Sequence, residues 1–116
     1  MILIWTTSSA IGNACAKETL DLALAFASFD QPVALLATDL AVNQFCSKPN
    51  AKIAGSKDLS KLIKSLPIFD IDRIYLCEKS AAKYSVSAQD LVVDAQFVTS
   101  EKIAELLAEA SRVIKI

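Results

Sequence analysis

The chain has 116 residues, 12 Lys and Arg against 13 Asp and Glu for a formal net charge of −1, and an apolar content of 53%. This length suits one domain, residues 1–116, around one core, and the balanced charge excludes a module that holds nucleic acid by bulk electrostatics. With no histidine, Ser-His and Cys-His catalysis, His-metal sites and imidazole proton shuttling are excluded as well.

The apolar content and a mean hydropathy of +0.41 point to apolar surface buried outside the monomer core, most simply against other subunits. The longest apolar run, Leu22 to Phe29, contains a serine and cannot span a bilayer; Met1 to Trp5 lacks the basic flank and length of a signal peptide. Three cysteines without CxxC spacing form no disulfide framework, so a cytoplasmic protein with reduced thiols and no membrane contact is expected. Glycine occurs only at Gly12 and Gly55. Neither a GxGxxG fingerprint nor a P-loop can therefore be written, and no cofactor or metal is expected.

Ile2-Leu3-Ile4-Trp5 is a continuous apolar run, as a strand covered on both faces would be. After a polar loop, Ala14 to Phe29 reads as a helix whose Ala16, Leu20, Ala23, Leu24 and Ala27 form a buried face. A second stripe, Cys15, Thr19, Leu22, Phe26 and Phe29, is expected to face a partner subunit. Gln31-Pro32 precedes a second buried strand, Val33 to Ala37, and Thr38-Asp39 offers an N-cap for a short helix through Phe45 and Cys46. Ser56 caps an amphipathic helix carrying Leu59, Leu62, Ile63 and Leu66, which Pro67 should end. The third strand, Arg73 to Leu76, runs into Cys77. A short helix or turn at Glu78 to Tyr84 follows, then a polar loop from Ser85 to Asp94 with a Leu91-Val92-Val93 patch. Gln96-Phe97-Val98 makes a fourth strand, Thr99 or Ser100 caps a helix to Ala110, and Val113-Ile114 is the last strand. Alternating strands and helices imply an α/β fold with a parallel sheet and helices on both faces.

In such a sheet reactive groups collect at the carboxyl ends of strands, which singles out Cys77. One reading is a buried small hydrophobe; the other is a nucleophilic or sulfur-carrying thiol, with Lys79 and Lys83 favouring the thiolate and Glu78 opposing it. A thiolate that takes sulfane sulfur as a persulfide and passes it on needs no histidine. Cys15 and Cys46 are read as packing or incidental residues. Lysines 48, 52, 57, 61 and 64 read as a solvated helix face, with a weak RNA or acidic-partner contact as the alternative. Asp70 and Asp72 precede the third strand and read as a capped turn rather than a catalytic pair.

The run Leu66-Pro67-Ile68-Phe69-Asp70-Ile71-Asp72-Arg73-Ile74-Tyr75-Leu76-Cys77 resembles the L-x-x-Y-D-I-x-x-x-W-V-C segment of the TusC/DsrF branch of the DsrE-like sulfur-relay proteins. Gly12 with Ala16, Glu18, Leu20 and Asp21, the segment Val42-Asn43-Gln44-Phe45, and the ending Val113-Ile114-Lys115-Ile116 are similar to further landmarks of that branch. The resemblance implies a three-layer α/β/α sandwich on a five-stranded, mainly parallel sheet. It also implies a subunit of a heterohexamer with DsrE/TusD-like and DsrH/TusB-like sisters, in contact with other sulfur-relay proteins and without direct tRNA binding. Such complexes pass persulfide sulfur toward 2-thiouridine in the tRNA wobble position, or serve sulfur oxidation. Cys77 falls where the DsrE/TusD-type sister keeps its persulfide cysteine, and is the candidate persulfide cysteine here. Departing from the family pattern, Glu78 places an acid directly after it. Two alternatives are a structural or binding subunit with inert cysteines and a standalone small-molecule-binding domain.

Overall fold

The computed structural model describes residues 1–7, 15–45 and 63–116, the first three residues of the first helix by backbone alone. Five strands, β1 (Ile2–Thr6), β2 (Val33–Ala37), β3 (Arg73–Cys77), β4 (Gln96–Val98) and β5 (Arg112–Lys115), form one sheet in the order β4-β3-β2-β1-β5. Every neighbouring pair is parallel. The helices are α1 (Cys15–Ser28), α2 (Glu78–Lys83) and α3 (Ser100–Glu109), and 3-10 turns cover Asp39–Phe45, Leu66–Phe69 and Ala88–Asp90.

The strand order follows from the handedness of parallel crossovers. Steps from β1 to β2, β3 and β4 move one way across the sheet, so their right-handed connections lie on one face. The step from β4 back to β5 runs the other way and must cross on the opposite face. Two cores result. On the first face, Ile2, Ile4, Val33, Leu35, Ala37, Ile74 and Leu76 pack with Leu20 and Ala23 of α1, Phe45, Ile63, Leu66 and Ala81. On the second, Leu3, Ala34, Leu36 and Val98 pack with Leu106 of α3, with Trp5, Tyr75, Ile103 and Leu107 at the margin. The central strand β2 is buried at all five positions, which is why it reads as an uninterrupted apolar run.

Thr99 is the N-cap of α3, its hydroxyl accepting from the Lys102 N–H at 3.3 Å. The Ser85 to Asp94 loop is more ordered than its polarity suggests. Ser87 and Asp90 form a capping box, and Leu91, Val92 and Val93 rest on the first core. Asp70 ends the Leu66–Phe69 turn in the left-handed conformation, φ 63°, confirming a capped turn.

Residues 63–65 are α-helical and the α-helix ends before Pro67, as expected; Pro67 itself sits in the first turn of the 3-10 segment Leu66–Phe69, where its missing N–H is not needed. Two local expectations change. Asp39 is not a helix cap of ordinary geometry, because its φ is 56°. The second stripe of α1 is largely used by the chain itself. Thr19 is buried, Leu22 and Phe26 pack against the first core, and Phe29 alone of those three hydrophobic side chains is exposed, at 76%. The Ser56 cap, Leu59 and Leu62 lie outside the described residues.

Candidate functional site

Cys77 is the last residue of β3 and directly precedes α2, with extended backbone angles (φ −64°, ψ 121°). Alternation along β3 turns Ile74 and Leu76 to the first face, so Tyr75 and Cys77 belong to the second. In register Cys77 lies beside Val98 of β4, and the Ala37 to Leu76 pairing of β2 with β3 brings Thr38 to its other side. The connection after β3 goes to the first face and that after β4 to the second. Cys77 therefore occupies the place where adjacent connections diverge, the kind of position at which open parallel sheets form their ligand crevices. The thiol is free and its residue 9% exposed.

Polar side chains buried in the fold concentrate at this same edge: Thr6, Thr38, Gln44 and Ser80. They are joined. The Trp5 Nε1–H donates to Thr38 Oγ1 at 2.9 Å, the Thr38 hydroxyl donates to Asp39 Oδ2 at 3.3 Å, and the Asp39 N–H donates to Ser80 Oγ at 2.8 Å. Gln44 Nε2 donates to Thr6 Oγ1 at 3.3 Å. Lys115 Nζ stands 4.8 Å from the centroid of the Trp5 ring, a cation–π contact that ties β5 to the same network. The ends of β1, β2 and β5 and the first turn of α2 are thus fastened together at the carboxyl edge of the sheet, on the β2 side of the cysteine. The left-handed Asp39 makes this possible, since it turns its N–H toward Ser80 instead of continuing β2.

Of the other sequence-selected residues, Asp70, Asp72 and Lys64 do not converge on Cys77. Asp70 and Asp72 are exposed at the amino end of β3, the opposite end of the strand. Lys64 is exposed; lysines 48, 52, 57 and 61, together with Cys46, lie outside the described residues, as does the side chain of Cys15. Sequence reasoning missed Trp5, Thr38, Asp39 and Ser80 as a unit. The available signal was a Thr-Asp pair directly after a buried strand, which fits a site loop as well as a cap. Among the described residues no group of three or more His, Cys, Asp and Glu side chains could hold a metal ion, and no helix is long and apolar enough to cross a membrane.

Comparison with known proteins places this geometry. A TusC homologue of Pseudomonas aeruginosa is 27% identical, the alignment covering 99% of this chain and 97% of that one. A TusC homologue of Vibrio parahaemolyticus is 26% identical over 89% and 87% of the two chains. The intracellular sulfur oxidation protein DsrF of Allochromatium vinosum is 28% identical over 88% and 85%. In three dimensions the fold matches the ychN protein of E. coli with a TM-score of 0.83 at 17% identity, covering 99% of this chain and 97% of that one. The expected α/β architecture is therefore correct, and the five-stranded sheet is parallel throughout. Residues 1–116 match the family model in full: the chain belongs to the DsrE/DsrF-like family.

Proposed function

We propose that this chain, acting as one domain, is the TusC/DsrF-type subunit of a heteromeric sulfur-relay complex in the cytoplasm. Its sister subunits are DsrE/TusD-like and DsrH/TusB-like chains, and the sulfur is directed to 2-thiouridine in the tRNA wobble position. The observation that carries the reading is Cys77 at the divergence of β3 and β4, within a chain that aligns over 99% of its length with a TusC homologue. The chemistry requires little machinery. The Cys77 thiolate attacks the terminal sulfur of a donor persulfide, a new S–S bond forms, the donor S–S bond breaks, and the donor leaves as thiolate. Transfer onward is the same displacement with Cys77 as the leaving group. The burial of Cys77 sets a condition: the crevice must open, or a partner must open it, before an acceptor reaches the sulfur.

Incubation of the assembled complex with cysteine desulfurase and cysteine tests this directly. A mass increase of one sulfur on this chain, absent in Cys77→Ser, is expected. Its absence would leave Cys77 as a wall of a site whose sulfur is carried by a sister subunit. The likeness to DsrF favours a second reading, a subunit of a sulfur-oxidation complex. Deleting the gene separates the two: loss of 2-thiouridine from tRNA supports the first, and intact tRNA with impaired sulfur oxidation supports the second.

A further inference from the structure

At the end of the sheet opposite Cys77, three large hydrophobic side chains stand in solvent: Phe29 at 76%, Ile68 at 79% and Phe69 at 52% exposure. They come from two turns that meet. The turn after α1 and the turn before β3 together line a cleft of about 180 Å³ shared by Asp30, Pro32, Phe69 and Asp70. Asp30 and Asp70 flank it, both exposed and both left-handed, with φ 58° and 63°. Glycine or asparagine is the ordinary residue for that conformation at the end of a helix, where a carboxylate is also disfavoured by the helix dipole. Asp39 is left-handed too, and its carboxylate accepts from Thr38; here the choice is made on both sides of one cleft, which gives the paired charge a use beyond the turn. Among the described residues no cation pairs with either aspartate. Arg73 lines a separate cleft beside Asp72 and Asp94, and Lys64 another with Pro67 and Asp94.

We infer that the Phe29–Ile68–Phe69 patch with its aspartate rim is the surface by which this chain docks an unlike subunit, one presenting aliphatic side chains flanked by lysine or arginine. Charge complementarity selects this occupant over a second copy, because a patch facing itself would set Asp30 and Asp70 against their own duplicates. The inference rests on the sulfur-relay reading and extends it. A partner seated here engages the amino end of β3, leaving the carboxyl end, with Cys77, free for transfer.

The test uses the full chain and its purified DsrE/TusD-like and DsrH/TusB-like sisters, with affinity measured by interferometry at low and high salt. Wild type is expected to bind with affinity that falls as salt rises. Asp30→Asn with Asp70→Asn keeps the left-handed turns, and is expected to weaken binding about tenfold and flatten the salt dependence. Ile68→Ser with Phe69→Ser is expected to weaken it by about thirtyfold or more. Binding by wild type that both double variants leave unchanged overturns this surface while the sulfur-relay reading stands. Failure of wild type to bind either sister overturns that reading and the inference with it. A homo-oligomer of wild type alone, dispersed by the same substitutions, overturns the unlike partner.

Discussion

The hydrogen bond from Trp5 to Thr38 joins residues 33 positions apart at the edge where Cys77 sits, and it can be isolated by a double-mutant cycle. Trp5→Phe removes the indole donor and weakens the Lys115 contact, while Thr38→Val removes the acceptor at nearly constant volume. A neutral hydrogen bond contributes about 1 kcal/mol net, and a cation–π contact near the surface about 0.5–1 kcal/mol. Trp5→Phe should therefore cost ~1–2 kcal/mol. For 116 residues the unfolding entropy is about 0.24 kcal/mol/K, so the melting temperature should fall by ~4–8 °C. The pair should couple by ~1 kcal/mol, since once either partner is gone the other change no longer removes the Trp5–Thr38 bond. The Thr38–Asp39 bond and the Lys115 ring contact are each lost or weakened by one single change and cancel in the cycle. Chemical denaturation of wild type, both single variants and the double variant measures this, with Lys115→Met as the control for the ring contact. A coupling inside the ~0.3–0.5 kcal/mol scatter of independent sites would refute the claim that this bond fastens β1 to β2.

Leu36, fully buried in the central strand beneath α3, should cost about 2–5 kcal/mol on truncation to Ala, read as a lower denaturation midpoint. Thr99→Ala removes the cap of α3 and should cost about 0.5–2 kcal/mol in the same assay. Asp70→Asn should move stability the other way by a few tenths of a kcal/mol, because asparagine suits the left-handed position and carries no charge against the turn's carbonyls.

β1 and β2 could be read from the sequence because parallel strands covered on both faces leave nearly unbroken apolar runs. The more exposed β3, β4 and β5 were legible from short apolar stretches between turns and helices, and α3 because its cap and its period agree. What could not be read depends on contacts distant in sequence. The stripe Thr19-Leu22-Phe26 has the same spacing whether a partner or the chain's own turns cover it, and here the latter do. Pro67 ends the α-helix by rule, but no local pattern says that the chain then tightens into a 3-10 turn around it. Of the candidate site, the position of Cys77 at the end of a short strand was legible. The Trp5–Thr38–Asp39–Ser80 linkage was not, because no local pattern announces a left-handed aspartate or a tryptophan whose partner lies on the next strand.

The pairing of β1 with β5 also bears on how the protein is made. Ile2 lies beside Arg112, and the Ser111 hydroxyl donates to the Met1 carbonyl at 2.8 Å across 110 positions of sequence. Until residues 112–115 have been synthesised, one side of the first strand has no partner. Such distant closure makes folding slow and exposes the nascent chain to association with other open strands. Chaperone dependence during translation should accordingly be greatest just before the last strand emerges.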